Sequence, residues 1–294
     1  MKRVFTVILF SFFSLLMHIA QAAPIPVVAS FSILGDVTRQ IGGERIQVFT
    51  LIGADQDTHM YQLISKDLRL MRGAKLILLN GYGLEPTALQ RAAGQSSAPL
   101  VYAVQGIRPQ ILTNDEHGHH HTYDPHVWND PILMHIYARN ITNALIKIDP
   151  AGKVYYQNRL VSYEKQLNEL HNWAEKTFAT IPIAKRKVLT GHDAFGYMAK
   201  RYQISFIAPQ GVSTDAEPSA RQVATIINQI RNQNIKAVFV ENIKNPRMIQ
   251  RISKETGVKI AGKLYSDALS NGSPATTYID LFRYNVKALS AAMR

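Results

Sequence analysis

Residues 124–131 read Asp-Pro-His-Val-Trp-Asn-Asp-Pro, and His117-Gly118-His119-His120-His121 stands just upstream. An imidazole held stiffly behind a proline, next to a run of loosely placed imidazoles, is what a transition-metal site with a collecting loop would require. Imidazole is a borderline donor that suits zinc, copper, nickel and iron. A His-rich run taken alone reads equally well as a solvated polar loop. The chain has 0 Cys, so disulfides and thiolate ligands are both excluded and any metal must rest on His and carboxylates.

Further candidates stand at the ends of apolar runs. His59 follows the run 46–52 after a short polar loop, Gly53-Ala54-Asp55-Gln56-Asp57-Thr58. His126 lies in the segment above, ahead of a helix start at Asp130-Pro131. His192 comes straight after the run 187–190, behind Gly191, and Asp267 just after the run 258–264. His135 and His171 fall inside helical patterns and read as structural. Three neutral imidazoles and one carboxylate make a tetrahedral set for zinc, and the carboxylate offsets half of the metal's charge in a cleft of low polarity. Glu241, at the end of the run 237–240, competes with Asp267 for that place. It could instead hold a ligand from behind through a hydrogen bond, and spacing alone does not decide.

The elements that must position these residues alternate. Apolar runs at 27–31, 46–52, 75–79 and 100–104 read as strands, with a helix over 33–41 ended by Gly42-Gly43. The pattern returns after residue 186, with strands at 187–190, 204–207, 237–240 and 258–264 and a helix near 194–202. Asn245 is placed to cap a helix with Pro246 at its first position, and Gly257 to end it. Strands separated by helices predict parallel α/β sheets. Between the halves, Tyr155, Tyr156, Leu160, Tyr163, Leu167, Leu170 and Trp173 fall at helical spacing between Pro150 and Pro182. One helix of that length runs roughly 40 Å, enough to cross a whole lobe. The expected architecture is α/β, two lobes each with a mainly parallel sheet flanked by helices, residues 23–149 and 182–294, joined by one long linking helix at 150–181. Two such lobes place a ligand in the cleft at the carboxyl ends of their strands.

Lys2 and Arg3 precede the apolar run 4–19, and Ala20-Gln21-Ala22 has the small residues of a cleavage site. Residues 1–22 read as a secretory signal peptide, too short an apolar run for a stable anchor. With no Cys at the cleavage point, no lipid anchor is expected, and the mature protein is placed free in a bacterial periplasm. The formal charge of +12 invites a nucleic-acid reading. The Lys and Arg are scattered, however, and no basic-aromatic motif accompanies them. An anionic membrane surface or an acidic partner fits better. No His-Glu-x-x-His helix is present, which weighs against a secreted zinc hydrolase. A metal-storage protein or adhesin would use the same donors without a transporter.

The sequence resembles the zinc- and manganese-specific solute-binding proteins of bacterial ABC transporters, the group with a rigid linking helix. The resemblance spans essentially the whole mature chain. It rests on Asp57-Thr58-His59-Met60-Tyr61, Leu79-Asn80-Gly81-Tyr82-Gly83-Leu84-Glu85, the segment 124–131, Gly191-His192-Asp193-Ala194-Phe195-Gly196-Tyr197, Glu217-Pro218-Ser219 and Val238-Phe239-Val240-Glu241. It implies metal ligands at His59, His126, His192 and Asp267, no catalysis, and a monomer that hands its metal to a membrane permease driven by an ATPase. Two positions depart from the family pattern: Gln62-Leu63 replaces the usual Glu-Pro, and Thr58 the usual Pro before the first His. Manganese-type members tend to carry Glu where this chain has His192, so the resemblance favours zinc over manganese. With an unperturbed imidazole pKa of about 6.5, metal affinity is expected to fall below about pH 6.

Overall fold

The computed structural model describes residues 23–111 and 123–294. The expected signal peptide at 1–22 and the His-rich run at 117–121 lie outside the described residues.

The first lobe is built on β1 (Ile25–Phe31), β2 (Ile46–Ile52), β3 (Leu76–Leu79) and β4 (Leu100–Tyr102). It is flanked by α1 (Ser32–Gly42), α2 (Ser65–Gly73), α3 (Thr87–Gly94) and α4 (Leu133–Ile148). The second lobe carries β5 (Lys187–Leu189), β6 (Ser205–Ile207), β7 (Val238–Glu241) and β8 (Ile260–Leu264) with α6 (Gly196–Tyr202), α7 (Ala220–Asn232), α8 (Arg247–Thr256) and α9 (Tyr278–Met293). Every pairing is parallel, and the strand orders are β2-β1-β3-β4 and β6-β5-β7-β8. Each sheet therefore has its first and third strands at the centre, the same topology twice. Central strands covered on both faces must be apolar throughout, and β3, Leu-Ile-Leu-Leu, is buried at every residue. The edge strand β8 is mostly exposed until Leu264.

Helix α5 (Lys153–Ala179) links the lobes. Its buried residues Tyr156, Tyr163, Leu167, Leu170, Ala174 and Phe178 recur at three, four or seven residues, one stripe of a helix. That stripe packs on α1 and α4 of the first lobe and on α9 of the second. Its start is pinned by Asp149, which accepts from Gly152 N, from the Tyr156 hydroxyl at 2.7 Å, and from the Arg45 guanidinium at 2.8 and 2.9 Å. One continuous apolar core runs from Val27 in β1 to Phe282 and Val286 in α9, across both lobes. On the α7 and α8 face of the second sheet, Val223, Ile226 and Ile230 of α7 and Ile249 and Ile252 of α8 pack with Leu189 of β5 and Val238 of β7 in a smaller cluster.

Several boundaries differ from the sequence reading. The helix expected from 194 begins at Gly196, because Ala194 and Phe195 belong to the turn that carries His192. Asn245 Oδ1 does accept from Arg247 N at 3.0 Å, but α8 starts one residue later than expected, after Pro246. In Glu217-Pro218-Ser219 the serine caps α7: its hydroxyl accepts from Gln222 N while the Gln222 side chain bonds back to Ser219 N at 2.7 Å. No helix among the described residues is long and apolar enough to cross a membrane.

Candidate metal centre

The carboxyl ends of the two sheets face each other across the seam between the lobes, and the expected donors all arrive there. His59 lies on the loop after β2, His126 just before the short turn Val127–Asn129 that leads to α4, His192 just past β5, and Asp267 just past β8. Their donor atoms lie within 4.8 Å of one another. His59 Nε2 is 3.4 Å from His126 Nε2 and 3.5 Å from Asp267 Oδ2. His126 Nε2 is 3.6 Å from Asp267 Oδ1, and His192 Nε2 is 3.1 Å from Asp267 Oδ2. Among the described residues, His192 Nε2 and both Asp267 oxygens are buried without a hydrogen-bond partner of ordinary geometry. Donors left open in this way are costly unless a cation completes them. His135 and His171 stand elsewhere: His135 faces Glu164 on α5, and His171 Nδ1 contacts the Tyr202 hydroxyl.

Each central imidazole is aimed by a carboxylate behind it. Asp124 Oδ1 accepts from His126 Nδ1 at 2.8 Å and from His126 N at 2.9 Å. Glu241 Oε2 lies 2.5 Å from His192 Nδ1, and its Oε1 accepts from Gly191 N and His192 N. Holding the proton on Nδ1 leaves Nε2 as a lone-pair donor toward the centre. Glu241 therefore orients His192, and Asp267 is the carboxylate that faces the cluster.

The two most specific sequence segments are the two sides of the seam. Trp128 Nε1 donates to Ser266 O at 2.7 Å, next to Asp267, and the Tyr278 hydroxyl donates to Trp128 O. Asn129 Nδ2 donates to Ala194 O, two residues after His192. Asp130 pairs with Arg201 at 2.7 Å, and the Tyr197 hydroxyl donates to Asp124 O. Gly196 permits this approach, since a Cβ there would stand 2.5 Å from Asp124 Oδ2. The motif at 80–85 supports the same segment from the other side. Buried Glu85 accepts from the Ser30 hydroxyl and from the backbone of Asn80 and Gly81, and Asn80 Nδ2 donates to Pro125 O at 3.0 Å. Sequence reasoning picked out these motifs but not the work of Asp124, Asn80, Trp128 or Ser266. An Asp two residues before a candidate ligand His was the one signal in view.

Burial alone would hold all three imidazoles neutral, and it does push His59 down. At His126 burial is outweighed by the Asp267 and Asp124 carboxylates, and its pKa is raised to about 9. At His192 burial is outweighed by Glu241 and Asp267, which hold it well above the usual value. Burial would raise the Asp267 carboxyl, but the His192 and His126 imidazoles hold it well below the carboxylate range. Without metal, two of the imidazoles thus keep protons at neutral pH. This moves the proton competition above the pH 6 expected from unperturbed imidazoles. A cation entering the cluster must displace those protons, so binding tightens as pH rises and weakens as it falls. Near pH 7 zinc affinity should climb as pH rises, because the metal displaces protons that the carboxylates hold on His126 and His192. Calorimetry in buffers of different ionisation enthalpy counts the released protons; none released at pH 7 would contradict this electrostatic picture.

Comparison with known proteins shows the family. Residues 27–292 match the family described as "Zinc-uptake complex component A periplasmic" (ZnuA). The chain is 31% identical to the manganese-binding lipoprotein MntA of Halalkalibacterium halodurans, over 88% of this chain and 85% of that protein. It is 29% identical to the metal ABC transporter substrate-binding lipoprotein SloC of Streptococcus mutans, over 90% and 88% respectively. The structure of the periplasmic zinc binding protein TroA from Treponema pallidum superposes with a TM-score of 0.86 at 27% identity, covering 92% of this chain and 99% of that one. A repeated four-strand lobe, one long linking helix and a match over nearly the full length place the chain in the ZnuA family of metal-binding proteins, the substrate-binding components of metal ABC transporters.

Proposed function

We propose that this protein captures zinc in the periplasm and delivers it to an ABC permease and its ATPase, with manganese as the second-ranked cargo. The donor set carries the reading. Three imidazole nitrogens and one carboxylate converge from both lobes, with four of the donor separations at 3.1–3.6 Å and all donor atoms within 4.8 Å of one another. A tetrahedral zinc site with bonds of about 2.0–2.1 Å has edges of about 3.3–3.4 Å, so the cluster is already near that size. Nitrogen-rich sets favour zinc over the harder manganese ion, and the Irving–Williams order acts in the same direction. The relatives do not decide the metal, one being named for manganese and the solved structure for zinc.

His59, His126, His192 and Asp267 are the proposed ligands. With four protein donors the metal has no position reserved for an attacking water. Glu241, the nearest candidate base, spends both oxygens on holding the His192 turn. These points support a carrier rather than a hydrolase. MntA and SloC are named as lipoproteins, whereas this sequence contains 0 Cys to bear a thioether-linked lipid. We read it as a freely diffusing periplasmic monomer, with 23–149 and 182–294 as its working lobes and 150–181 as the strut.

Growth tests this reading. A strain lacking the protein, with no redundant importer, should grow poorly when zinc is chelated, and added zinc should restore growth better than added manganese. Rescue by manganese alone would assign manganese as the cargo. Undiminished growth under chelation of either metal would remove the uptake role.

A further inference from the structure

His59 is held in part through the backbone of its own loop. His126 and His192 each have a carboxylate behind the ring, and both are fully buried in the main seam. His59 rides on the loop between β2 and α2, and its backbone N–H donates to Asp57 Oδ1 at 3.0 Å. The other oxygen of Asp57 accepts from the Thr214 hydroxyl at 2.6 Å, across the lobes and 157 residues away in sequence. Thr214 is buried, and its carbonyl accepts from Lys244 Nζ at 3.0 Å. The same ammonium donates to Gln210 Oε1 at 2.7 Å, and Gln210 is bridged to His192 by a strand-like backbone contact. Gln210 Nε2 closes the loop by donating to Ala216 O. A hydrogen-bonded circuit therefore runs from His59 through Asp57, Thr214, Lys244 and Gln210 to His192 without passing through the metal position.

We infer that Asp57, Thr214 and Lys244 form an inter-lobe latch that keeps His59 in the donor set and governs how fast the metal leaves. Asp57, Thr214 and Lys244 are positioning residues; none of their polar atoms belongs to the donor cluster. The inference rests on the metal-carrier reading above.

The latch and the rest of the seam are anchored at different points. The segment 210–216 and Lys244 border the face of the second sheet covered by α7 and α8, where Val223, Ile226 and Ile252 pack with Leu189 of β5 and Val238 of β7. The main core takes the neighbouring residues of the same strands, Val188 and Phe239, on the other face. Asp55, by contrast, ties the start of the same first-lobe loop to the inner second lobe, accepting from Asn271 N while its own N–H donates to Leu269 O. Loss of the Asp57 bonds would leave the loop fixed at Asp55 and loosen its hold on His59, while His126 and His192 keep the carboxylates behind their rings. Gln210, Thr214 and Lys244 also line, together with Met60, a groove of about 550 Å³.

The test is stopped-flow release of zinc, and separately of manganese, into excess chelator, with association rates measured in parallel. Thr214→Val removes the donor at nearly constant shape, and Lys244→Met removes the ammonium. Each should raise the dissociation rate by about tenfold to a hundredfold, the range for a hydrogen bond to a charged group, with association changed less than about threefold. Thr214→Ser keeps the hydroxyl and should release at the wild-type rate. Wild-type dissociation in both Thr214→Val and Lys244→Met would overturn the latch, as would Thr214→Ser releasing as fast as Thr214→Val. If Lys244→Met does not fold, the valine and serine pair decides alone. A wild-type protein that holds neither metal would instead defeat the carrier reading, a result visible before any variant is compared.

Discussion

Replacing His126 or His192 with alanine is expected to weaken zinc binding by roughly two to three orders of magnitude. Structural zinc sites bind with about 10–16 kcal/mol, so one ligand in four carries roughly 2.5–4 kcal/mol, and 1.4 kcal/mol is tenfold. Both residues lie at 0% exposure, so water does not simply occupy the vacated position at low cost. Each change also strands a carboxylate. Without His126, Asp124 keeps the backbone N–H of residue 126 but loses its ring partner; without His192, Glu241 loses the Nδ1 contact and retains two backbone donors. Alanine at position 59 should cost less, because His59 is the donor that the loop presents and the remaining three still form a site that water can complete. Competition titration against a chelator of known affinity reads all three. Near-native affinity in both the His126 and His192 variants would remove these residues from the coordination. The metal-free variants should also lose the rise in melting temperature that zinc gives the native protein.

How much of this was legible in the sequence follows from what each contact depends on. Donors at the carboxyl ends of parallel strands were readable, because an apolar run of four to seven residues followed by Gly-His or a short polar loop marks both the strand and its functional end. The long helix was readable because a single apolar stripe persists from Tyr156 to Phe178. The choice between Asp267 and Glu241 was not. Both follow a strand, and only the packing of β7 beside β8 shows that Glu241 reaches back under the His192 turn while Asp267 faces the cluster. The Asp57 to Thr214 bond was out of reach for the same reason, since nothing local to either residue reports a partner 157 positions away. Helices α2 and α3 were passed over because they are short and have few buried residues, so their periodicity is weak. Helix α7 was passed over although its Ser219 and Gln222 are spaced as a capping box. That signal was read only as part of a motif.

The contact between His192 and Glu241 also sets how the metal preference could be moved. His192→Glu supplies the second carboxylate that a harder cation prefers, and the resemblance to manganese-type relatives points to this position. Here the substitution alone should fail. The new carboxylate would stand against Glu241, whose Oε2 is 2.5 Å from the present ring nitrogen and whose other oxygen is fixed by Gly191 N and the backbone of residue 192. Two buried carboxylates at that distance cannot both ionise, so the pair would retain a proton or destabilise the fold by roughly 3–5 kcal/mol. Either outcome weakens binding of zinc and manganese alike, and the single variant should bind zinc at least about a hundredfold more weakly than the native protein. Adding Glu241→Gln should relieve the conflict. Its amide oxygen can still accept from the two backbone N–H groups, and its NH₂ can donate to the new carboxylate where Nδ1 donated before. The double variant should recover the melting temperature lost by the single one and bind manganese, relative to zinc, at least about tenfold more favourably than the native protein. Parallel titrations with both metals, together with thermal melts of the metal-free proteins, measure each part. A single variant that stays as stable as the native protein and binds manganese well would show that Glu241 does not constrain the site in the way its contacts indicate.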